Sequence, residues 1–145
     1  MKCSLYISND VKEEEIKIYA REQTDKIREI IKLAEDSGND EIIGYDGEQS
    51  IRLDINEINV FVIENRRLFA ICDSGKYRIK KRLYEIEQME LAGFVKINQS
   101  SLANIKKIKR FGASFGAAMT ISFASGYVDY VSRRQLKTVK KALGL

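Results

Sequence analysis

The chain has 145 residues and 44% of them are hydrophobic, enough for the core of one domain with a short extension. It contains no histidine, so the commonest general base and the commonest metal ligand are both missing. Two distant cysteines, Cys3 and Cys72, in a chain without a signal-peptide pattern favour reduced thiols in the cytoplasm. We therefore expect neither an enzyme nor a protein that binds a metal or a cofactor.

The charges are divided unevenly along the chain. Residues 1–60 hold 8 basic and 15 acidic residues, whereas residues 61–145 hold 17 basic and 6 acidic ones. A strongly basic half indicates a polyanionic partner, and nucleic acid is the usual one. The alternative is a solvated, lysine-rich surface without a partner.

The first forty residues predict a small β-β-α extension. Apolar residues alternate at residues 3–7 and again at 16–20, which predicts two strands, with a helix over residues 11–20 as the alternative for the second. Thr24 is the predicted N-cap of a helix that residues 37–39, Ser-Gly-Asn, would end. The acidic balance here makes DNA contact unexpected.

Residues 42–79 contain five short apolar runs separated by turn residues, which predicts a β-meander. Arg66 and Arg67 fall between two of these strands, just after Asn65, at a predicted hairpin tip. Two arginines at a turn contribute to solubility, but a hairpin tip is also well placed to enter a DNA groove. The pattern alone does not separate these interpretations.

A short helix is predicted around Leu83 and Ile86, followed by a strand from Phe94. A polar loop over residues 98–101 comes next, in which a serine would cap one helical turn leading to Asn104. We interpret the Asn104 amide as a structural tie to the backbone and not as a base contact.

Residues 111–127 carry no charge, but 17 residues with three glycines and three serines are too few and too polar for a membrane span. Alternation at residues 119–124 and the Ser125-Gly126 turn instead predict a β-hairpin that returns through residues 127–131.

The last predicted element is a basic amphipathic helix with Ser132 as its N-cap. Leu136, Val139 and Leu143 would form its apolar stripe, and its exposed side would be cationic. Arginines in a first helical turn oppose the helix dipole, and a bound phosphate would compensate them.

Two motifs, FVKINQSSLANIKKIKRF from Phe94 and YVSRRQLKTVKKAL from Tyr130, resemble the LytTR family of bacterial DNA-binding domains. The resemblance covers about residues 42–145. It implies a mostly β (α+β) fold, an elongated arrangement of small sheets with short helices, here preceded by the extension. We accordingly expect two parts: the extension over residues 1–40 and the DNA-binding domain over residues 41–145.

The resemblance also implies which side chains touch DNA. Family members insert loop side chains into successive major grooves, and the matching positions here are Gln99 and Arg134, with Arg133 beside it. Gln99 stands where many members have arginine, so we expect it to read adenine instead of guanine. The full set of expected DNA-binding residues is Arg66, Arg67, Lys96, Gln99, Lys109, Arg133, Arg134 and Lys137.

The partner implied is double-stranded DNA, bound as a homodimer on paired direct repeats. The first forty residues cannot hold a receiver domain, so the chain resembles the stand-alone, cytoplasmic branch of the family, whose members are often restrained by a small membrane protein. A non-specific nucleic-acid-binding module or a protein-interaction module is the alternative function.

Overall fold

The computed structural model describes residues 1–35, 41–113 and 118–145. Contacts divide the chain into two compact units, Met1–Asn39 and Asp40–Leu145. The described residues form ten strands and three short helices, which confirms the predicted mostly β fold.

The described part of the first unit contains one helix, α1 (Asp25–Glu35). The hydroxyl of Thr24 accepts a hydrogen bond from the backbone N–H of Ile27 at 3.3 Å, which confirms the predicted cap. The predicted helix end at residues 37–39 lies outside the described residues.

The two strands predicted before α1 are wrong, because residues 1–24 form no strand. Alternation specifies a strand only where one face is buried and a neighbouring backbone completes the hydrogen bonds. Here the apolar side chains stay exposed, with Leu5 at 82% and Ile16 at 64%. An isolated pair of strands is marginal in water, so the pattern alone does not produce one.

The second unit is built on a seven-stranded antiparallel sheet. Its strands are β1 (Ile42–Asp46), β2 (Gln49–Leu53), β3 (Ile58–Glu64), β4 (Arg67–Cys72), β5 (Lys76–Ile79), β6 (Phe94–Asn98) and β7 (Ser101–Asn104). Their order is β2-β1-β5-β4-β3-β7-β6. The five predicted strands between residues 42 and 79 are confirmed, but the simple meander order is wrong, because β1 pairs with β5 and leaves β2 at the edge.

Gly44 explains how β1 fits between its two neighbours. A Cβ atom at this position would lie 2.8 Å from side-chain atoms of both Leu53 on β2 and Tyr77 on β5. The missing side chain therefore lets these two residues close over β1.

A second, three-stranded sheet has the order β10-β9-β8, from β8 (Ile108–Ala113), β9 (Met119–Phe123) and β10 (Val128–Val131). The β9–β10 pairing confirms the hairpin predicted around Ser125 and Gly126. Among the described residues, no helix has the length and apolar content to cross a bilayer.

Side chains of the large sheet alternate between two apolar clusters. On one face, Phe61 and Leu102 pack with Ile86 of helix α2 (Leu83–Gln88). On the other face, Val60 and Ala103 pack with the small sheet and with helix α3 (Leu136–Ala142). The large sheet is therefore the middle layer of the second unit.

Helix α3 buries the predicted apolar stripe, with Val139 fully buried and Leu136 and Leu143 packed beside it. The prediction that Ser132 caps this helix is wrong, because α3 begins four residues later. The backbone N–H of Ser132 donates to the carbonyl of Ile97 at 2.9 Å, so this residue is still held against β6. The chain must turn before the helix can start.

Candidate nucleic-acid interface

The Arg66 hairpin tip is a two-residue turn between β3 and β4. Glu64 and Arg67 form the last pair of the ladder, which leaves Asn65 and Arg66 as the turn, with φ of 49° and 64°. Positive φ at both positions is typical of a type I′ turn, whose second position strongly favours glycine. An exposed arginine thus occupies a position that the backbone alone would give to glycine.

Gln99 lies in a second two-residue turn. Asn98 pairs with Ser101 across β6 and β7, so Gln99 and Ser100 connect the two strands and the Gln99 side chain is exposed. The carbonyl of Ser100 accepts a hydrogen bond from the N–H of Ile63 at 2.9 Å. This bond places the Gln99 turn beside the end of β3, and hence next to the Arg66 turn.

The helical turn predicted after Gln99 is wrong, because residues 101–104 form strand β7. A 3₁₀ turn follows β7 instead, at Ile105–Lys107, and Asn104 caps it, since its side chain accepts from the N–H of Lys106 at 3.1 Å. Its amide nitrogen donates to the carbonyl of Ile58 at 2.9 Å. Asn104 is buried and ties the backbone together, as interpreted from the sequence.

Arg133 and Arg134 lie in the turn between β10 and α3, and both are exposed. Besides the bond from Ser132 to Ile97, the amide of Asn98 donates to the carbonyl of Tyr130 at 2.9 Å. The end of β10 is therefore held against the end of β6, immediately before Gln99. Three turns from distant parts of the sequence meet at one end of the large sheet.

We call these exposed residues the basic edge: Arg66, Arg67, Gln99, Arg133 and Arg134. The strand order and the contacts above place the Gln99 turn between the two arginine pairs. Arginine forks bind phosphates and guanine edges, and glutamine pairs with adenine. Side chains able to read bases thus stand in one row.

A polar cluster of buried Asn98, buried Ser101 and half-buried Asp129 fixes two of these turns to one another. The carboxylate of Asp129 accepts from the hydroxyl of Ser101 at 2.5 Å and from the amide of Asn98 at 3.2 Å. The carbonyl oxygen of the Asn98 side chain accepts from the N–H of Ser100 at 2.9 Å. Asn98 and Ser101 flank the Gln99 turn, so their bonds to Asp129 position it relative to β10.

Sequence reasoning missed this cluster. The sequence pattern places Asn98 and Ser101 in the predicted polar loop. Asp129 is the only acidic residue between Phe94 and Leu145, a stretch that holds ten basic residues. A lone carboxylate among ten cations was the available signal, since a charge retained against the trend often has a structural partner.

Three other predicted DNA-binding residues, Lys96, Lys137 and Lys109, are not part of the basic edge. Lys96 lines an open groove together with Arg66, Arg67 and Gln99, but its ammonium pairs with Glu87 at 3.0 Å. Lys137 is exposed in the first turn of α3, close behind Arg134. Lys109 is exposed at the start of β8, whereas β10 reaches the basic edge from the opposite end of the small sheet. The structure therefore does not bring Lys109 together with the others.

The cations of the basic edge are electrostatically unmatched. Within the described ranges, Arg66, Arg67, Arg133 and Arg134 form no ion pair. Their guanidinium groups remain available for phosphate oxygens or base edges.

Cys72 is a buried, free cysteine. Burial, with the nearby carboxylates of Glu57 and Asp73, raises the pKa of the Cys72 thiol to about 12, so the nucleophilic thiolate is absent at neutral pH. In the part of the chain that the structure describes, no three His, Cys, Asp or Glu side chains are grouped to hold a metal ion.

Comparison with known proteins gives consistent results. The model of the LytTr DNA-binding domain family matches residues 48–144. An uncharacterised HTH-type transcriptional regulator of Staphylococcus aureus (strain NCTC 8325 / PS 47) is 26% identical over all of this chain and 99% of its own length. The corresponding protein of the bovine strain RF122 / ET3-1 is 27% identical with the same coverage.

The fold matches a solved LytTr DNA-binding domain from a response regulator of Bacillus cereus, with a TM-score of 0.66. The match has 16% identity and covers 72% of this chain and 97% of that domain. No two helices follow one another directly in the described residues, so the helix-turn-helix in the relatives' name does not describe this architecture.

Proposed function

Because this chain belongs to the LytTr DNA-binding domain family, we propose that it reads a specific base sequence through the side chains of the basic edge. The chain is a DNA-binding transcription regulator and not an enzyme. The proposal concerns how it recognises its target: loop side chains enter successive major grooves of paired direct repeats.

The observation that carries this proposal is the convergence of three turns at one end of the large sheet. The bonds from Ile63 to Ser100 and from Ser132 to Ile97 bring the Gln99 turn between the two arginine pairs. A solvated basic surface needs no such arrangement, because charge alone keeps a surface soluble. Base reading does need it, since several side chains must meet one duplex at once.

The roles of the side chains follow from their chemistry. Arg134 binds the N7 and O6 acceptors of guanine, and Gln99 binds N6 and N7 of adenine. The Arg66 side chain enters the major groove from the turn between β3 and β4. Arg67, Arg133 and Lys137 contact phosphates, which hold the protein in register without reading sequence.

Lys96 and Lys109 are weaker phosphate contacts in this proposal. Lys96 must exchange its pair with Glu87 for a phosphate. Lys109 lies at the other end of the small sheet, so it reaches only a more distant part of the backbone.

The organisation around the site is proposed by the same reasoning. Residues 41–145 form the DNA-binding domain and residues 1–40 form a separate extension. Two copies bind paired direct repeats in the cytoplasm, and a membrane protein restrains the regulator. A pull-down with the full chain that recovers no membrane protein would contradict the proposed restraint by such a protein.

The test is a selection of random duplexes at about 150 mM salt, repeated with Arg134→Ala and with Arg110→Ala as a control. Arg110 is exposed on β8 and forms no ion pair within the described residues. We expect a pair of repeats spaced by roughly 10–10.5 bp, lost with Arg134→Ala and kept with Arg110→Ala. No enriched sequence, with binding that vanishes smoothly as salt rises, would instead establish non-specific binding.

A further inference from the structure

Three consecutive cations, Lys80, Lys81 and Arg82, connect β5 to α2, and none of the residues assigned above lies among them. Ile79 and Leu83 on either side are buried at 3% and 6% exposure. These two anchors hold the connection in place, and the three side chains between them are exposed. The segment is thus a short, fixed bridge whose only outward groups are cationic.

Strand register brings this segment to the basic edge. Leu68 on β4 pairs with Ile79 on β5, and the two strands are antiparallel. Lys80 therefore follows β5 on the side where Arg67 begins β4. The open groove lined by Arg66, Arg67 and Gln99 is also lined by residues 80–82, so the segment faces the same groove as these three residues of the basic edge.

The segment carries uncompensated charge. Within the described residues, none of its three cations forms an ion pair, and Glu87 in the same groove is already paired with Lys96. The Lys80 ammonium lies 4.1 Å from the centre of the Tyr45 ring, a contact that orients the cation without neutralising it. Closely spaced like charges repel within a Debye length of about 8 Å at physiological salt, and an anion bound between them relieves this repulsion.

We infer that residues 80–82 are a phosphate-binding segment that grips the DNA backbone beside the groove entered by Arg66 and Gln99. The ligand is the phosphodiester backbone and not a base, because lysine ammonium groups are point charges that suit phosphate oxygens. The segment determines the affinity for DNA and its salt dependence, while the side chains of the turns determine which base sequence is bound. This inference rests on the proposed function, since it extends the same surface.

The test compares two variants of the full chain that lose the same charge. Lys80→Gln/Lys81→Gln removes two cations of the segment, and Lys12→Gln/Lys26→Gln removes two exposed lysines of the first unit that form no ion pair within the described residues. Both are measured on one fixed duplex over a range of salt concentrations, with thermal unfolding as a check of the fold.

For the segment variant we expect the slope of log affinity against log salt to become shallower by about 1.8, since each phosphate neutralised contributes about 0.9. The selected sequence should stay unchanged, and the control variant should keep the wild-type slope. Equal slopes for the two variants would overturn the inference.

Failure of the proposed function gives a different result. If wild-type protein selects no sequence but the segment variant still lowers the slope, residues 80–82 bind phosphate and only the base-reading proposal fails. If a sequence is selected and the slope is unchanged, base reading stands and the segment is only a solvated surface.

Discussion

The carboxylate of Asp129 accepts a 2.5 Å hydrogen bond from the hydroxyl of Ser101, which lies 28 residues earlier in the chain. Ser101 ends the turn that presents Gln99, and Asp129 lies three residues before Ser132, where the Arg133 turn begins. One charge-assisted bond therefore connects two segments that we propose to enter the same DNA, and such bonds are short and strong.

Replacing Asp129 with Asn should lower the affinity for the selected DNA site in a protein that still folds. The amide cannot accept as strongly from both Ser101 and Asn98, and the loss should cost about 1–3 kcal/mol of unfolding free energy. Affinity for the selected site should fall while non-specific binding does not. Asp46→Asn, at an exposed position without a described partner, is the matched control. Equal losses on specific and random duplexes would contradict the positioning role.

Gln99→Ala should relax the base preference at one position of the selected site. Loss of a bidentate contact to adenine removes about 1–3 kcal/mol of discrimination there. The measurement is a comparison of selected sequences for the variant and wild type, with Gln49→Ala on the exposed edge strand as the control. An unchanged base preference would show that Gln99 does not read the site.

Arg66→Gly should stabilise the fold and weaken DNA binding at the same time. A left-handed conformation costs a non-glycine residue roughly 1–2 kcal/mol, partly offset by the greater freedom of glycine in the unfolded chain. We expect unfolding free energy to rise by about 0.5–1 kcal/mol. Arg66→Ala removes the same cation but keeps the strain, so it should lose the same affinity without the gain in stability. Identical stabilities of the two variants would refute the strain argument.

Asn104→Ala should destabilise the second unit without changing the selected sequence. Its buried amide contacts Ile58 and Lys106, and removing it leaves two backbone groups unpaired, at a cost of about 1–3 kcal/mol. Thermal unfolding measures the effect, and exposed Asn56→Ala is the control. A changed base preference in the folded variant would instead indicate contact with DNA.

The difference in stability between Asp73→Asn and wild type should depend on pH. Hydrogen bonds from Lys107 at 2.5 Å and from Asn59 at 2.8 Å lower the pKa of Asp73 below its usual value of 3.8. The stabilisation from this lowered pKa is complete above pH 3.8 and is lost as pH falls through the folded-state pKa. Asp73→Asn should therefore be less stable than wild type at pH 7, with a difference that narrows in acid. A stability difference between Asp73→Asn and wild type that is the same at pH 7 and in acid would contradict this expectation.

The sequence by itself determined the local elements of the second unit. Period-two alternation predicted its strands, the turn residue Asn65 between two apolar runs placed Arg66 at a hairpin tip, and 3.6-residue spacing predicted the buried stripe around Val139. Each of these patterns lies within a few neighbouring residues. It can therefore be recognised without knowing which strand pairs with which. The same signal failed before α1, because Leu5 and Ile16 have alternation but no buried face.

Only the tertiary structure decided which turns stand together. The bonds that join the Gln99 turn to β10 connect residues 28 to 32 positions apart, and no local pattern specifies such a pairing. It also decided that Ser132 is held by Ile97 and does not cap a helix. The physical reason is the same in both cases: a polar group is satisfied by whichever partner the sheet order brings within hydrogen-bonding distance.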